Sequence, residues 1–216
     1  MKNQIIKLSV ILIIFLTSCQ TIPKFWILGE PGLVLWPNGE IYYEFSKEVP
    51  EYCKERVIKA MEEWDEKTNI KFIQREDEFS YVEIMWGFEY AAHVGMRGGR
   101  QHIILMYFCD YSAVLHELGH AVGLNHEHQR ADRDKYVEIV WDNIEEGMGH
   151  NFTKLREDSQ PVITPYDFKS IMHYGSYAFS NNHKKTIIKK ECPACIIPQG
   201  SKITTWDIEK VNYLYP

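Results

Sequence analysis

The chain has no run of lysines or arginines and no excess of positive charge. Its 216 residues carry 24 basic and 30 acidic side chains, a formal charge of −6 at pH 7. A nucleic-acid binder shows clustered cations on one face or stripe, and none appears here, so that class is set aside. No apolar run approaches the roughly 20 residues needed to cross a bilayer core of about 30 Å. Repeats and low-complexity segments are also missing. Cysteine is scarce, at five residues. What is present is an apolar content of 45%, with aromatics spread along the whole length. That is enough for one domain with a real core in two lobes, and it argues against disorder.

The N-terminus differs in character. Lys2 and Lys7 precede the apolar run SVILIIFL at residues 9–16, which is too short for a membrane span but suits the core of an export signal. It ends in Leu16-Thr17-Ser18-Cys19, which resembles a bacterial lipobox, where small residues precede a cysteine that is lipidated after cleavage. The alternative is an ordinary cleaved signal with Cys19 there by chance. The expectation is a signal over residues 1–18, a tether or short pro-segment over 19–35, and a catalytic domain over 36–216. After cleavage 22 basic and 30 acidic residues remain, a charge of −8. The chain is then exported and held at a bacterial membrane by a lipid on Cys19.

Export permits disulfides among Cys53, Cys109, Cys192 and Cys195. Four cysteines allow three pairings, and sequence does not choose among them. Cys192-Pro-Ala-Cys195 has no second C-x-x-C to complete a metal site and no strand–helix setting for redox work. It reads best as a local loop staple.

Alternating apolar residues predict strands at Ile41–Phe45, Ile70–Gln74, Tyr81–Trp86 and Gln101–Phe108. Cys53, Val57, Met61 and Trp64 recur at helical spacing on one face and predict a helix from Pro50 to Lys67. Further helices are expected from about Ser112, near Trp141–Gly147, and over Thr204–Leu214. The pattern is α+β.

Residues 116–130 read HELGHAVGLNHEHQR. His116 and His120, four apart, share one face of a helix and lie one turn apart, where two imidazoles can hold one metal. Glu117 lies beside that face, poorly placed as a ligand but within reach of a water activated by the metal. Gly123 allows the left-handed conformation that ends a helix and turns the chain, and His126 then arrives as a third nitrogen ligand. Five fixed positions in H-E-x-x-H-x-x-G-x-x-H arise by chance on the order of once in ten thousand chains of this length. Three histidines leave a coordination position open, the catalytic arrangement; structural zinc sites usually close with four protein ligands.

HELGHAVGLNHEHQRADRD resembles the zinc signature of the astacin family of metzincin peptidases. SIMHYGSYAFS at residues 170–180 is similar to that family's Met-turn, and the likeness runs in order over residues 36–216. The resemblance implies a bilobed fold, with a twisted, mainly antiparallel sheet and an active-site helix in the first lobe. The second lobe would be irregular and carry the C-terminal helix. It implies one zinc ion on His116, His120 and His126, with Tyr174 near the metal at rest and swinging to donate to the transition-state oxyanion. Glu117 would be the general base, and Met172 would form an apolar floor. Glu127 would anchor the mature N-terminus, a role in conflict with a lipid on that terminus. Gln101–Met106 would be the edge strand that holds an extended peptide, and Lys189 or Lys190 would line the pocket for the residue after the scissile bond. The family's usual disulfides cannot form here: Asn69 stands at one cysteine position and no cysteine lies near Ala91. Glu30 is the sole candidate in the short N-terminal segment for a group that caps the metal. The function expected is zinc-dependent endopeptidase, acting on proteins or peptides. The rival is a surface binding or adhesion lipoprotein that keeps the fold and metal without turnover; the presence of both Glu117 and Tyr174 favours the enzyme.

Overall fold

Apolar residues at every third or fourth position build the first helix, α1 (Glu51–Lys67), and bury Cys53, Val57, Ala60, Met61 and Trp64. That face packs on a five-stranded sheet of β1 (Glu40–Phe45), β2 (Lys71–Gln74), β3 (Tyr81–Gly87), β4 (Ala91–Ala92) and β5 (Arg100–Met106). The computed structural model describes residues 32–216. The expected signal, Cys19 and Glu30 lie outside the described residues.

The strand order is β2-β1-β3-β5-β4. Three of its four pairings are parallel, and only β4 runs antiparallel to its neighbour β5. The expectation of a mainly antiparallel sheet is therefore corrected. The cause lies in the connections: α1 carries the chain back between β1 and β2, as a parallel pair requires. β2 pairs with the first half of β1 (Glu40–Tyr43) and β3 with the second (Tyr43–Phe45), so the short link at residues 75–80 keeps all three strands parallel. A second correction follows from the order. β5 is covered on both sides, by β3 and β4; the edge strand on that side of the sheet is Ala91–Ala92, not Gln101–Met106, and β2 forms the opposite edge.

The helix α2 (Tyr111–Val122) is set by its ends. Asp110 caps it by accepting from the backbone N–H of Ser112 and Ala113 at 3.0 and 3.1 Å, a favourable N-cap arrangement. Gly123, at φ 119°, closes it; Leu124 N–H donates to Gly119 O at 2.9 Å, which satisfies an end carbonyl. Leu115, Leu118 and Val122 are buried in the first core with Trp64.

Residues 33–35, expected within a tether, belong to the domain. Val34 O accepts from Met96 N–H at 2.8 Å, and Leu35 packs on the core. Trp36 is buried and its indole N–H donates to Ala121 O at 2.8 Å.

Beyond α2 the chain is irregular, with a small antiparallel pair, β6 (Val137–Ile139) and β7 (Ile187–Lys189). A second apolar cluster of Val137, Ile144, Phe152, Tyr166, Ile187 and Ile197 fills this lobe. The helix expected near Trp141–Gly147 is only a 3₁₀ turn, Trp141–Asn143, because buried Ile144 is extended and bridges to Ser180. The last helix, α3 (Thr205–Leu214), begins with a capping box between Thr204 and Asp207. It packs on the first core through Val211, with Tyr215 just beyond, rather than on the second lobe that precedes it in the chain.

The disulfides are Cys53–Cys109, which joins α1 to the segment before α2, and Cys192–Cys195. The protein is thus stapled differently from the family pattern, and the C-x-x-C closes a local loop as expected.

Candidate metal centre

Helix α2 presents His116 and His120 from adjacent turns, with ring centroids 4.7 Å apart. After Gly123 the chain swings back and delivers His126 in an extended backbone conformation. The Nε2 of His126 then lies 3.1 Å from the Nε2 of both His116 and His120. These close approaches are not hydrogen bonds. His116 Nδ1 faces Ile171 O at 2.7 Å, His120 Nδ1 faces Leu124 O at 2.8 Å, and His126 Nδ1 faces Gln129 Oε1 at 3.1 Å. A carbonyl oxygen only accepts, so each Nδ1 carries the proton and each Nε2 offers a lone pair. Three lone pairs converge with no proton between them.

Protonation does not relieve the crowding, because burial holds all three imidazoles below the usual histidine range, His120 down to about 3. A cation does. Tetrahedral zinc with Zn–N of 2.0–2.1 Å sets its nitrogen ligands roughly 3.3 Å apart, close to the spacing found. These are the only grouped donors of this kind among the described residues. The donor set fits zinc.

Glu117 is 5% exposed and makes no hydrogen bond or ion pair among the described residues. Burial alone pushes its carboxyl up to about 8 in the metal-free protein. Met172 is buried under the site. A Cβ at Gly119 would lie 2.6 Å from its sulfur, so only glycine lets the Met-turn press against the helix between the two ligands. The Tyr174 ring stacks on His128 and leans on His126, with both centroids 4.3 Å away; burial and the nearby Glu117 raise its hydroxyl above the ordinary range.

Glu127, expected to bind the N-terminus, is 2% exposed and already engaged. It takes Arg130 Nη1 and the Asp167 N–H on Oε1, each at 2.8 Å, and Lys210 of α3 on Oε2. Its own N–H donates to Met172 O at 3.0 Å, which joins the third histidine to the Met-turn. Arg130 also pairs with Asp132, at 2.9 and 3.0 Å, so Glu127 belongs to a buried charge network; the N-terminus it was expected to anchor lies outside the described residues.

The lysines expected in a substrate pocket have local partners. Lys189 lies over the Phe168 ring at 4.5 Å and pairs with Glu191, and Lys190 donates to Asp134 O at 2.5 Å. Neither pairs with any residue of the histidine group, because β7 is committed to β6 and the adjoining segment at residues 134–136.

Three supporting residues went unforeseen. Asp207, wholly buried, accepts from the Ser170 hydroxyl and the Ile171 N–H at 2.5 and 3.0 Å, while Ile171 O receives His116. The signal was available as a Thr-x-x-Asp capping box. Lys210 and Gln129 had no sequence signal of this kind.

The family described as Astacin, a family of peptidases, matches residues 31–216. The chain belongs to the astacin family. It is a metzincin, a zinc metalloendopeptidase whose substrates are proteins or peptides. Among relatives, astacin-like metalloprotease toxin 1 of Loxosceles intermedia is 44% identical over 189 residues, covering 84% of this chain and 71% of the toxin. The low choriolytic enzyme of Oryzias latipes is 40% identical over 194 residues, covering 87% and 71%. Among solved structures, high choriolytic enzyme 1, a hatching enzyme zinc-protease from the same fish, superposes with a TM-score of 0.78 at 33% identity, covering 85% of this chain and 94% of that one. Myroilysin superposes with a TM-score of 0.62 at 23% identity over 84% and 95%, a likeness of fold alone.

Proposed function

We propose that this astacin-family endopeptidase hydrolyses an extended peptide with Glu117 as general base and Tyr174 as oxyanion donor, on zinc held by His116, His120 and His126. The observation that carries the reading is the convergence of three Nε2 lone pairs beside a buried carboxylate that has no partner among the described residues. When bound, zinc acts as a Lewis acid and lowers the pKa of a coordinated water to about 7. Glu117 takes one proton from the attacking water as its oxygen adds to the scissile carbonyl carbon. It returns that proton to the leaving nitrogen as the C–N bond breaks, the usual service of a positioned acid–base. The Tyr174 hydroxyl, kept protonated by burial, donates to the oxyanion; such donors are worth about 10²–10³ in turnover. Its platform on His126 and His128 holds the ring beside the metal ligands. The edge strand Ala91–Ala92 offers an outer row of backbone groups, unpaired among the described residues, for an extended substrate. Gly95 N–H donates to His120 O at 2.9 Å, which keeps the loop after that edge against the ligand helix.

Tyr174→Phe separates the roles: turnover falls about 10²-fold while KM changes little. A normal turnover with a raised KM would instead make Tyr174 a substrate contact.

The N-terminal pattern supports export and lipidation at Cys19, with the enzyme facing outward from a bacterial membrane. Mass spectrometry of the membrane fraction tests this; an unmodified N-terminus refutes it.

A further inference from the structure

We infer that Gln129 is the positioning residue of the third histidine, fixing the tautomer and aim of His126 and so setting how tightly the site holds zinc. The inference rests on the reading of His116, His120 and His126 as the zinc site.

The three ligands are not held alike. His116 and His120 sit on one helix, and each gives its Nδ1 proton to a backbone carbonyl. No substitution that preserves the fold removes those acceptors. His126 stands on a loop beyond the helix, and its only Nδ1 partner among the described residues is a side chain, Gln129 Oε1 at 3.1 Å.

The amide cannot turn over. Its Nε2 donates to Asn151 O at 3.1 Å, so a flip would set the amide oxygen against a carbonyl and the NH₂ against His126 Nδ1. Asn151 O is itself fixed, because His128 Nε2 donates to it at 3.0 Å. The Gln129 backbone is pinned as well: its N–H donates to His126 O at 3.0 Å and its carbonyl accepts from Leu155 N–H at 2.7 Å. Gln129 therefore presents an acceptor to one ring nitrogen with little freedom. An acceptor there demands the Nδ1–H tautomer and leaves Nε2 as the ligand atom. Without it, the Nε2–H tautomer becomes available, which turns a proton into the site and cannot bind the metal.

Outer partners of this kind are worth about 10- to 100-fold in metal affinity. The test compares the full-length wild type with Gln129→Leu, which removes the acceptor at similar size, and Gln129→Glu, which keeps an acceptor but loses the donor to Asn151 O. Each protein is loaded with one zinc, and release into a coloured chelator is followed at neutral pH. Q129L should release zinc about 10- to 100-fold faster than wild type, and Q129E within threefold of it, while the metal-free forms of wild type and Q129L unfold at the same urea midpoint. Release from Q129L at the wild-type rate overturns the inference. So does a Q129E as fast as Q129L, which would assign the effect to the Asn151 contact. A lowered metal-free midpoint for Q129L does so too, as it would mark a general structural role. A wild-type protein that binds no zinc sinks the functional reading instead, so the two failures are told apart.

Discussion

Replacing Glu117 with glutamine exchanges one oxygen for an NH₂ group and leaves the side-chain volume almost unchanged. Two consequences follow, of opposite sign. The first is catalytic: the amide cannot accept the proton of the attacking water, and loss of a positioned general base costs about 10²–10⁴ in turnover, or roughly 3–5 kcal/mol in the barrier. The second concerns stability. In the metal-free protein burial pushes the Glu117 carboxyl from 4.5 up to about 8, so at pH 7 the folded state must take up a proton that the unfolded chain lacks. At about 1.4 kcal/mol per unit, the interval from 4.5 to 7 costs about 3 kcal/mol. A raised carboxyl leaves stability intact below pH 4.5 and erodes it as the pH climbs towards 8. Glutamine escapes this cost. Metal-free E117Q should therefore be up to about 3 kcal/mol more stable than wild type at pH 7, and equal to it at pH 4. Urea unfolding at the two pH values, with casein cleavage by the zinc-loaded proteins, reads both effects. A zinc-loaded E117Q that cleaves within threefold of wild type would remove Glu117 from the chemistry. An equal stability at pH 7 would show that the carboxyl is not desolvated as described.

Gly119→Ala drives a methyl to within 2.6 Å of Met172 Sδ and should cost about 1–3 kcal/mol by overpacking; Met172→Ala in the same chain should recover part of it, a coupling that urea unfolding of the double-mutant cycle measures. Removing Cys53–Cys109, which spans 56 residues, should cost about 4 kcal/mol in a chain-entropy account, against about 2 for Cys192–Cys195 with its separation of 3. Paired Cys→Ala variants and their unfolding free energies check the order. Burial lowers the His120 imidazole from 6.5 to about 3, so the unfolded chain gains a proton below pH 6.5 that the folded metal-free chain refuses. Stability present above 6.5 is then lost as the pH falls, by about 2 kcal/mol at pH 5 for this residue, and metal-free His120→Gln should lose about that much less than wild type between pH 7.5 and 5.

Much of the site could be read from the chain because its parts are local. The spacing of His116, Glu117, His120, Gly123 and His126 lies within three turns, and one helix followed by one left-handed glycine turns that spacing into geometry. The Met-turn was legible only by likeness, since nothing in residues 170–180 states that Met172 will meet Gly119 from across the fold. The sheet was misread for a related reason. Strand positions follow from alternation, but strand direction depends on which neighbours pair, and the half-and-half pairing of β2 and β3 along β1 leaves no periodic trace. Ala91–Ala92 was missed as the edge because two residues give no alternation at all. Ile144 carried a helical pattern yet became extended, since a buried bridge to Ser180 outweighed weak local propensity. Lys210 and Gln129 act through partners 83 and 3 residues away, and as single polar residues they are indistinguishable in sequence from solvated ones.

The central claim is that one zinc on three histidines makes this protein a peptidase. The most direct measurement is a titration of metal-free protein with zinc, following bound metal and cleavage of a quenched fluorescent peptide in the same samples. Activity should be absent at the start, rise in proportion to bound zinc, and level off at one equivalent per chain, with His126→Ala failing to reach either plateau. Cleavage at full rate without zinc, or a chain holding one zinc and cleaving nothing, would contradict the account.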